Sequence, residues 1–281
     1  MKEKADILVT LDSGYICQLC IMLCSLTCSN PDLDLNVYIL HSSLDDDDIR
    51  AVETAISGFG EVIPIRVAED EFSDAPTTDR YPHEMYFRLF ASEYLPENLD
   101  RVLYLDPDII VRGDISELLN MPLGDNLIAA ATHVGKAFTH LNYVRNAPHY
   151  DIHDEDEPYI NSGVMVMNLK ELRKLPIRED VYSFIETHKG RLFLPDQDII
   201  SGLYGSRIMI LDCYRYNMTG RLFVLRKDKY PWLTIEWVKE NSAIIHFCGR
   251  NKPWKQGYIG KFGECYYEAE KAYLSRIAEA E

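Results

Sequence analysis

Short apolar runs alternate with amphipathic stretches through the first half of this chain, and no other feature constrains its fold as strongly. Apolar runs of this length are typical of buried strands, and the stretches between them have helical spacing. The predicted strands are Ile7 to Leu11, Val37 to Leu40, Val62 to Val67, Val102 to Leu105 and Leu127 to Ala131, and the predicted helices are Ile16 to Cys28, Asp46 to Ser57 and His83 to Tyr94. Repeated strand–helix–strand units predict an α/β fold with a mixed, mainly parallel sheet flanked by helices on both faces.

The second half of the chain continues this pattern. Candidate strands are Gly163 to Met167, Arg207 to Leu211 and Ala243 to His246, and helical spacing recurs at Gln197 to Leu203 and from Phe262 to Ile277. A length of 281 residues allows one large domain or two small ones, and we predict one globular unit.

The acidic balance of the chain limits its partners. The 29 Lys and Arg residues against 45 Asp and Glu residues give a net charge of -16, which repels phosphate backbones and anionic bilayers. We therefore predict no nucleic-acid partner. The sequence shows neither a leader pattern nor an apolar run near the ~20 residues of a membrane span, so we predict a cytoplasmic protein without a strong membrane anchor.

Four of the seven cysteines, Cys17, Cys20, Cys24 and Cys28, are spaced three to four residues apart and share one predicted helix face. They pack as small hydrophobes, or Cys17 and Cys20 form a redox pair at the start of the helix. The run Asp45 to Asp48 precedes another helical pattern, where carboxylates favour the first turn.

Two aspartates close the apolar run Val102 to Leu105. Because side chains alternate along a strand, Asp106 and Asp108 would point the same way and could converge on one cation. Pro107 cannot donate to a ladder, so it marks where strand pairing ends. An isolated Asp-x-Asp also occurs in plain loops, and the assignment therefore depends on what accompanies it.

His246 ends a later apolar run and is followed by Gly249 and Lys252. Glycine lets the backbone approach a ligand closely, and lysine offers a point charge to a phosphate. A histidine ligand beside two carboxylates would shift the preferred ion from magnesium toward manganese.

Two further segments place polar side chains within or just before an apolar run. Arg88 lies within a predicted apolar helix, where its charge needs a partner, and a surface salt bridge is the simplest one. Asp196 and Gln197 precede another apolar run and could serve only to start a helix.

In combination and in this order, these segments resemble glycosyltransferase family 8. The family comprises retaining nucleotide-sugar transferases, among them bacterial lipopolysaccharide galactosyl- and glucosyltransferases and, more distantly, glycogenin. The resemblance extends from about Ile7 to Trp254 and rests on the segments Val9 to Tyr15, Leu103 to Asp108, Asn161 to Val164, Pro195 to Asp198 and His246 to Trp254.

The resemblance implies a GT-A fold in a single domain over 1–281, with a nucleotide-binding half at about 1–135 and an acceptor-side half at about 136–281. It also implies UDP-galactose or UDP-glucose as donor, manganese or alternatively magnesium as metal, and a saccharide or glycolipid as acceptor. A glycolipid acceptor would place the protein at the inner face of the membrane.

The resemblance further assigns roles to individual residues. The uracil would be bound by Thr10, Asp12 and Tyr15, and the diphosphate by Gly249 and Lys252. The metal would be bound by Asp106, Asp108 and His246, and Asp106 would also reach the donor. The sugar would be surrounded by Arg88, Asn161, Asp196 and Gln197. Gly14 departs from the family pattern, because several members carry Asn there, which leaves the ribose contacts open.

The expected mechanism is departure and attack on one face of the sugar, because the amide of Gln197 is a poor nucleophile. A metal-dependent sugar-nucleotide hydrolase or nucleotidyltransferase, a non-catalytic UDP-sugar-binding protein and a self-glycosylating protein of the glycogenin kind remain as alternatives. The acidic stretch Asp151 to Glu157 is interpreted as a solvated loop or as a lid over the acceptor.

Overall fold

A computed structural model describes residues 2–68, 83–132, 158–188, 192 and 194–280. The stretch Asp151 to Glu157, interpreted as a loop or a lid, lies outside these residues.

Strands and helices alternate through the described ranges. The strands are β1 Glu3–Thr10, β2 Leu33–His41, β3 Gly60–Arg66, β4 Arg101–Leu105, β5 Ile109–Val111, β6 Ile128–Thr132, β7 Ile160–Asn168, β8 Ile208–Leu211, β9 Met218–Thr219 and β10 Ile244–His246. The helices are α1 Ile16–Ser29, α2 Asp46–Ala55, α3 Glu84–Phe87, α4 Ala91–Tyr94, α5 Ser116–Asn120, α6 Leu169–Leu172, α7 Ile177–Thr187, α8 Pro195–Tyr204, α9 Cys213–Tyr216, α10 Gly220–Arg226, α11 Ile235–Asn241 and α12 Gly263–Ala280. Three turns of 3-10 helix lie at Ser13–Tyr15, Arg88–Phe90 and Gly205–Arg207.

Within the described residues, seven strands form a main sheet in the order β3-β2-β1-β4-β7-β6-β8. Four of its six pairings are parallel, and β7 runs antiparallel to both of its neighbours. A second, three-stranded sheet has the order β5-β10-β9. The predicted α/β fold with a mixed, mainly parallel sheet is confirmed.

The main sheet buries apolar side chains on both faces. In β1, Ile7 and Val9 belong to one hydrophobic cluster, while Leu8 between them belongs to another. This follows from the alternation of side chains along a strand, and it is typical of a sheet with helices on each side. Helix α1 covers the first face, with Leu19 and Leu23 in the cluster that contains Ile7.

The sequence predicted one continuous helix from His83 to Tyr94, and this prediction is wrong. Its middle turn tightens into the 3-10 segment Arg88–Phe90, which separates α3 from α4. Phe90 has φ -107° and ψ 19°, outside the α-helical range, so the i to i−4 pattern is interrupted there. Arg88 begins this break and is buried, with 7% of its surface exposed.

The prediction that Asp106 and Asp108 share one face of a strand is also wrong. Strand β4 ends at Leu105, and Asp106–Pro107–Asp108 form a turn before β5. The Asp106 N–H still donates to Gly163 O of β7 at 2.8 Å, whereas the Asp108 carbonyl accepts from Phe247 N, just after β10, at 2.9 Å. The turn is therefore the point at which the chain leaves the large sheet for the small one.

The C-terminal helix α12 packs against α1 and α2, as its apolar spacing predicted. The Arg276 guanidinium donates to the Ala55 carbonyl and to Thr27 Oγ1, both at 2.8 Å, and so links the three helices. Among the described residues, no helix combines the length and the apolar character needed to cross a membrane.

The cysteine face of α1 serves packing. Cys20 and Cys24 are fully buried, while Cys17 and Cys28 are exposed. Burial raises the pKa of Cys17, that of Cys20 to about 12 and that of Cys24 to about 11. A redox pair needs thiols with lowered pKa values, so this environment opposes the redox interpretation.

The acidic run before α2 caps that helix. The Asp45 carboxylate accepts from the N–H groups of Asp47 and Asp48, both at 2.9 Å, and the Asp48 carboxylate accepts in return from the Asp45 N–H. This reciprocal pair is a capping box, and the predicted first-turn role is confirmed.

Candidate active site

A cleft of about 360 Å³ opens at the carboxyl ends of β1 and β4, where ligands bind in parallel α/β sheets. All twelve residues that the sequence proposed for a site line this one cleft: Thr10, Asp12, Tyr15, Arg88, Asp106, Asp108, Asn161, Asp196, Gln197, His246, Gly249 and Lys252. They come from segments far apart in the chain, so their convergence is a property of the fold.

Asp106, Asp108 and His246 form a cluster that could hold a metal ion, since each offers one ligand atom within 4.8 Å of the others. His246 Nε2 lies 3.1 Å from Asp108 Oδ1 and 3.8 Å from Asp106 Oδ2. Both Nε2 and Asp108 Oδ1 are fully buried, yet neither makes a hydrogen bond with any described group. Buried polar atoms without partners are costly, and a cation bound between them would satisfy both.

Gly163 of β7 lies directly against this cluster. A Cβ at this position would come within 2.2 Å of His246 Cε1 and 2.8 Å of Asp106 Oδ2. A larger residue would therefore displace the imidazole and one carboxylate together. This close approach explains the glycine in the Asn-Ser-Gly segment.

Lys252 supplies a positive charge beside the cluster. Its Nζ contacts Asp108 Oδ2 and donates to the Phe247 carbonyl at 3.0 Å. Burial by itself would raise the pKa of the Asp108 carboxyl, but Lys252 and then His246 outweigh burial and hold that pKa well below its ordinary value. Burial would lower the pKa of Lys252, but Asp108 raises it further. Both pKa shifts favour the ionised forms of the two groups.

Arg88 bridges two carboxylates. Its Nη1 lies 3.0 Å from Asp106 Oδ1 and 3.3 Å from Asp196 Oδ2, and its guanidinium lies 4.4 Å from the centre of the Tyr104 ring. Burial opposes its charge, but Asp106, Tyr104 and Asp196 together raise its pKa. The pairing is buried, so the surface salt bridge considered for Arg88 is wrong.

Asp196 and Gln197 lie in the first turn of α8 and face the cleft. Ser162 Oγ donates to Asp196 Oδ2 at 2.6 Å, and Asn161 Nδ2 donates to Gln197 Oε1 at 3.5 Å. Burial raises the pKa of Asp196 more than Arg88 and Ser162 lower it. The Asp196 side chain is thus engaged with Ser162 and Arg88.

This raised pKa predicts how Asp196→Asn changes stability. A carboxyl whose folded-state pKa exceeds its unfolded value of ~3.9 contributes stability at low pH that is lost as pH rises through the folded pKa. At pH 7 the ionised group opposes folding, whereas an amide oxygen still accepts from Ser162. We expect Asp196→Asn to melt at least as high as wild type at pH 7, with this advantage shrinking toward pH 4.

Thermal unfolding between pH 4 and pH 8 measures this effect without added ligands. Asp47→Asn on α2 is the control, because its side chain is 85% exposed. A melting temperature of Asp196→Asn below wild type at pH 7, with Asp47→Asn unchanged, would show that Asp196 supports folding in its ionised form.

Thr10, Asp12 and Tyr15 line the cleft on the β1 side. Asp12 Oδ1 accepts from Gly14 N at 2.8 Å and so starts the short 3-10 turn that carries Tyr15. A Cβ at residue 14 would lie 2.9 Å from the same oxygen, so glycine there lets Asp12 keep this position. The Tyr15 ring meets Trp254 edge to face, at 6.2 Å between centres.

Three residues that the sequence did not single out complete the site. Tyr104 donates its hydroxyl to Asp106 Oδ1 at 2.7 Å, Ser162 binds Asp196, and Asn217 lies 2.8 Å from His246 Nδ1. Ser162 could have been found from the Asn-Ser-Gly segment. Tyr104 reads as an ordinary strand residue, and no local pattern marks Asn217.

None of the three tryptophans lines the cleft. Trp232 and Trp237 contact each other at 4.6 Å, and Trp232 also contacts Tyr214. Trp254 packs on Tyr266 at 5.4 Å.

The fold is that of a GT-A glycosyltransferase. The chain belongs to glycosyl transferase family 8, whose model matches residues 6–257. The family resemblance read from the sequence is thereby confirmed.

Known relatives agree with this assignment. The chain is 27% identical to a lipopolysaccharide 1,2-glucosyltransferase of Escherichia coli K12, over 92% of this chain and 75% of that protein. It is 25% identical to general stress protein A of Bacillus subtilis, over 94% and 92% of the two chains. The structure of galactosyltransferase LgtC, solved with donor and acceptor sugar analogues, superposes with a TM-score of 0.81 at 24% identity and covers 95% of each chain. This last likeness shows the fold.

Proposed function

We propose that this glycosyltransferase moves a hexose, galactose or glucose, from a UDP-sugar to a saccharide or glycolipid acceptor, with metal assistance and retention of configuration. It would act in the cytoplasm, at the inner face of the membrane when the acceptor is a glycolipid. The observation that carries the proposal is the pair of buried atoms His246 Nε2 and Asp108 Oδ1, which lie 3.1 Å apart beside Asp106 and make no hydrogen bond with described groups. The names of the relatives support both hexoses.

The three candidate metal ligands favour manganese over magnesium. Asp106 and Asp108 offer carboxylate oxygens, which suit both ions, while His246 offers an imidazole nitrogen, which suits the softer one. When bound, such an ion would neutralise charge that develops on the departing diphosphate. Lys252 would add a second positive charge on the same side, and Gly249, with φ +93°, would let the backbone approach the phosphates.

The β1 side of the cleft would hold the nucleotide. Asp12 would accept from the uracil N3–H, Tyr15 would stack on the base, and backbone at Thr10 would complete the pocket. Asp12 Oδ1 is held by Gly14 N, which fixes the direction of the carboxylate. We propose that residues 1–135 form the nucleotide half of the single domain and 136–281 the acceptor half.

The residues that would surround the sugar, Asn161, Asp196 and Gln197, favour reaction on one face of the sugar. The Gln197 amide is a poor nucleophile, and the Asp196 carboxylate is held by Ser162 and Arg88. Gln197 and Asn161 would position the sugar and stabilise charge at its anomeric carbon, and Asp196 would orient its hydroxyls. The departing diphosphate would then take the proton of the acceptor hydroxyl on the same face.

Incubation with UDP-glucose or UDP-galactose, with and without Mn²⁺, tests the proposal directly. We expect UDP release and a glycosylated product from a panel of saccharides and glycolipids, with the anomeric configuration of the donor retained by NMR. Release of free hexose without a glycosylated product would instead support hydrolysis. A hexose covalently attached to a cleft side chain of the wild-type protein, seen by intact-mass analysis, would contradict the same-face route.

A further inference from the structure

Asn217 lies between His246 of the candidate metal cluster and Asn161, which contacts Gln197. It follows α9 directly, is 2% exposed, and touches a side chain on each flank. Its Oδ1 is 2.8 Å from His246 Nδ1, and its Nδ2 donates to Asn161 Oδ1 at 2.9 Å. Asn161 in turn donates to Gln197 at 3.5 Å, so a continuous series of amides joins the cluster around His246 to α8.

The direction of each hydrogen bond in this series follows from one backbone group. The Gly163 N–H can only donate, and it does so to Asn161 Oδ1 at 3.2 Å. Asn217 must therefore present its NH₂ group to that same oxygen, which leaves Asn217 Oδ1 facing His246. An amide oxygen can only accept, so His246 Nδ1 must carry a proton. In a neutral imidazole this leaves Nε2 with a free lone pair, directed at Asp106 and Asp108.

The opposite orientation of Asn217 is unfavourable. It would place two amide oxygens 2.9 Å apart in a buried site and leave Asn217 Oδ1 without a donor, and buried acceptors without donors are destabilising. On the other side of the ring, His246 Nε2 lies 3.1 Å from Asp108 Oδ1 and 3.8 Å from Asp106 Oδ2, the atoms with which it would share a metal ion.

We propose that Asn217 is a positioning residue for the metal and for the sugar. It fixes the tautomer and the ring orientation of His246, and through Asn161 it fixes the Gln197 amide. The inference rests on the proposed function, because the free Nε2 lone pair is useful only if His246 is a metal ligand. Partners of metal-binding histidines typically change metal affinity or activity by about 10–100-fold when they are replaced.

The tautomer is measured first, in ¹⁵N-labelled, metal-free protein at pH 8, above the ordinary histidine pKa. Two-bond ¹H–¹⁵N correlation spectra distinguish the two tautomers, and His246→Gln identifies the His246 signal among those of the eight histidines. We expect a protonated Nδ1 and an unprotonated Nε2 in the wild type. A neutral imidazole with a protonated Nε2 and an unprotonated Nδ1 would overturn the proposal without any variant.

Two matched variants then separate the roles of Asn217. Asn217→Asp keeps an acceptor for His246 but cannot donate to Asn161, so we expect Mn²⁺ affinity within about 3-fold of wild type and kcat lower by about 10-fold. Asn217→Leu removes the acceptor, so we expect the Nδ1–H preference to be lost and the Mn²⁺ Kd, from calorimetry with UDP present, to rise by about 10–100-fold. Melting temperatures verify that each variant is folded.

The outcomes also separate this inference from the proposed function. If the wild type does not bind Mn²⁺, the metal part of the proposed function fails, whereas the wild-type tautomer still decides whether Asn217 sets the imidazole. If Asn217→Leu is folded and binds Mn²⁺ as the wild type does, the positioning role is refuted. Should Asn217→Leu not fold, Asn217→Asp and the wild-type spectrum decide.

Discussion

Replacing Asp108 with Asn should abolish the Mn²⁺-dependent binding of UDP-sugar and lower turnover by about 10³-fold. An amide cannot supply the anionic oxygen that Asp108 contributes beside Asp106 and His246. The loss corresponds to about 4 kcal/mol, within the range expected when a bound ion no longer stabilises a leaving group. Thermal shift with UDP-glucose and UDP-galactose, with and without Mn²⁺, measures the binding, and UDP release measures the turnover.

The experiment needs a second variant because Lys252 would lose its buried partner. An uncompensated buried charge costs about 3–5 kcal/mol, which lowers the melting temperature whether or not a metal binds. The double variant Asp108→Asn with Lys252→Met removes both charges, so we expect its stability to recover and its Mn²⁺ response to remain absent. Asp47→Asn, an exposed carboxylate on α2, should behave as wild type. A normal Mn²⁺ shift in folded Asp108→Asn would show that the metal site is wrongly assigned.

Replacing Arg88 with Lys should lower kcat by about 10²-fold while the protein stays folded. The guanidinium reaches Asp106 and Asp196 at once and stacks on Tyr104, whereas an ammonium is a single point charge on a flexible stem. Both carboxylates would shift, and a misplacement of about 1 Å in a reacting site is enough for this loss. Because Lys keeps the positive charge, we expect a smaller loss of stability than for Arg88→Met. That variant leaves the carboxylates of Asp106 and Asp196 without their buried cation, which costs about 3–5 kcal/mol.

Arg178 offers a matched control for this substitution. It also pairs with a carboxylate, Glu93 at 2.6 Å, and lies over an aromatic ring, Phe90 at 5.0 Å, but 38% of its side chain is exposed. We expect Arg178→Lys to change neither kcat nor, by more than about 1 kcal/mol, the free energy of unfolding. If Arg88→Lys retains kcat within 3-fold of wild type, the bridging role of Arg88 is wrong.

The parts of the site that the sequence predicted are those with a local signature. Asp106 and Asp108 close an apolar run, His246 closes another, and each such end lies at the carboxyl edge of a strand. Arg88 was recognised because a charge in an apolar helix requires a partner. These positions can be found without coordinates because strand ends and burial are encoded in short stretches of chain.

The parts that it missed depend on contacts between distant segments. The partners of Asn217 are 29 and 56 residues away, and nothing in its own neighbourhood distinguishes it from a loop amide. The 3-10 break at Arg88 likewise has no local cause in sequence, because Met85 to Phe90 reads as a regular apolar helix. Tertiary packing overrides local propensity at such places.

The turn at Pro107 attaches the two aspartates to different sheets. Asp106 is tethered to β7 in the seven-stranded sheet, and Asp108 is tethered to the residue after β10 in the three-stranded sheet. The distance between the two carboxylates therefore depends on the relative position of the two sheets. An ion held there would link the two sheets, and an ion of a different radius would require a different spacing of the two carboxylates. Discrimination between metals would then depend on the rigidity of that junction, and core substitutions far from the cleft would change which ion the protein prefers.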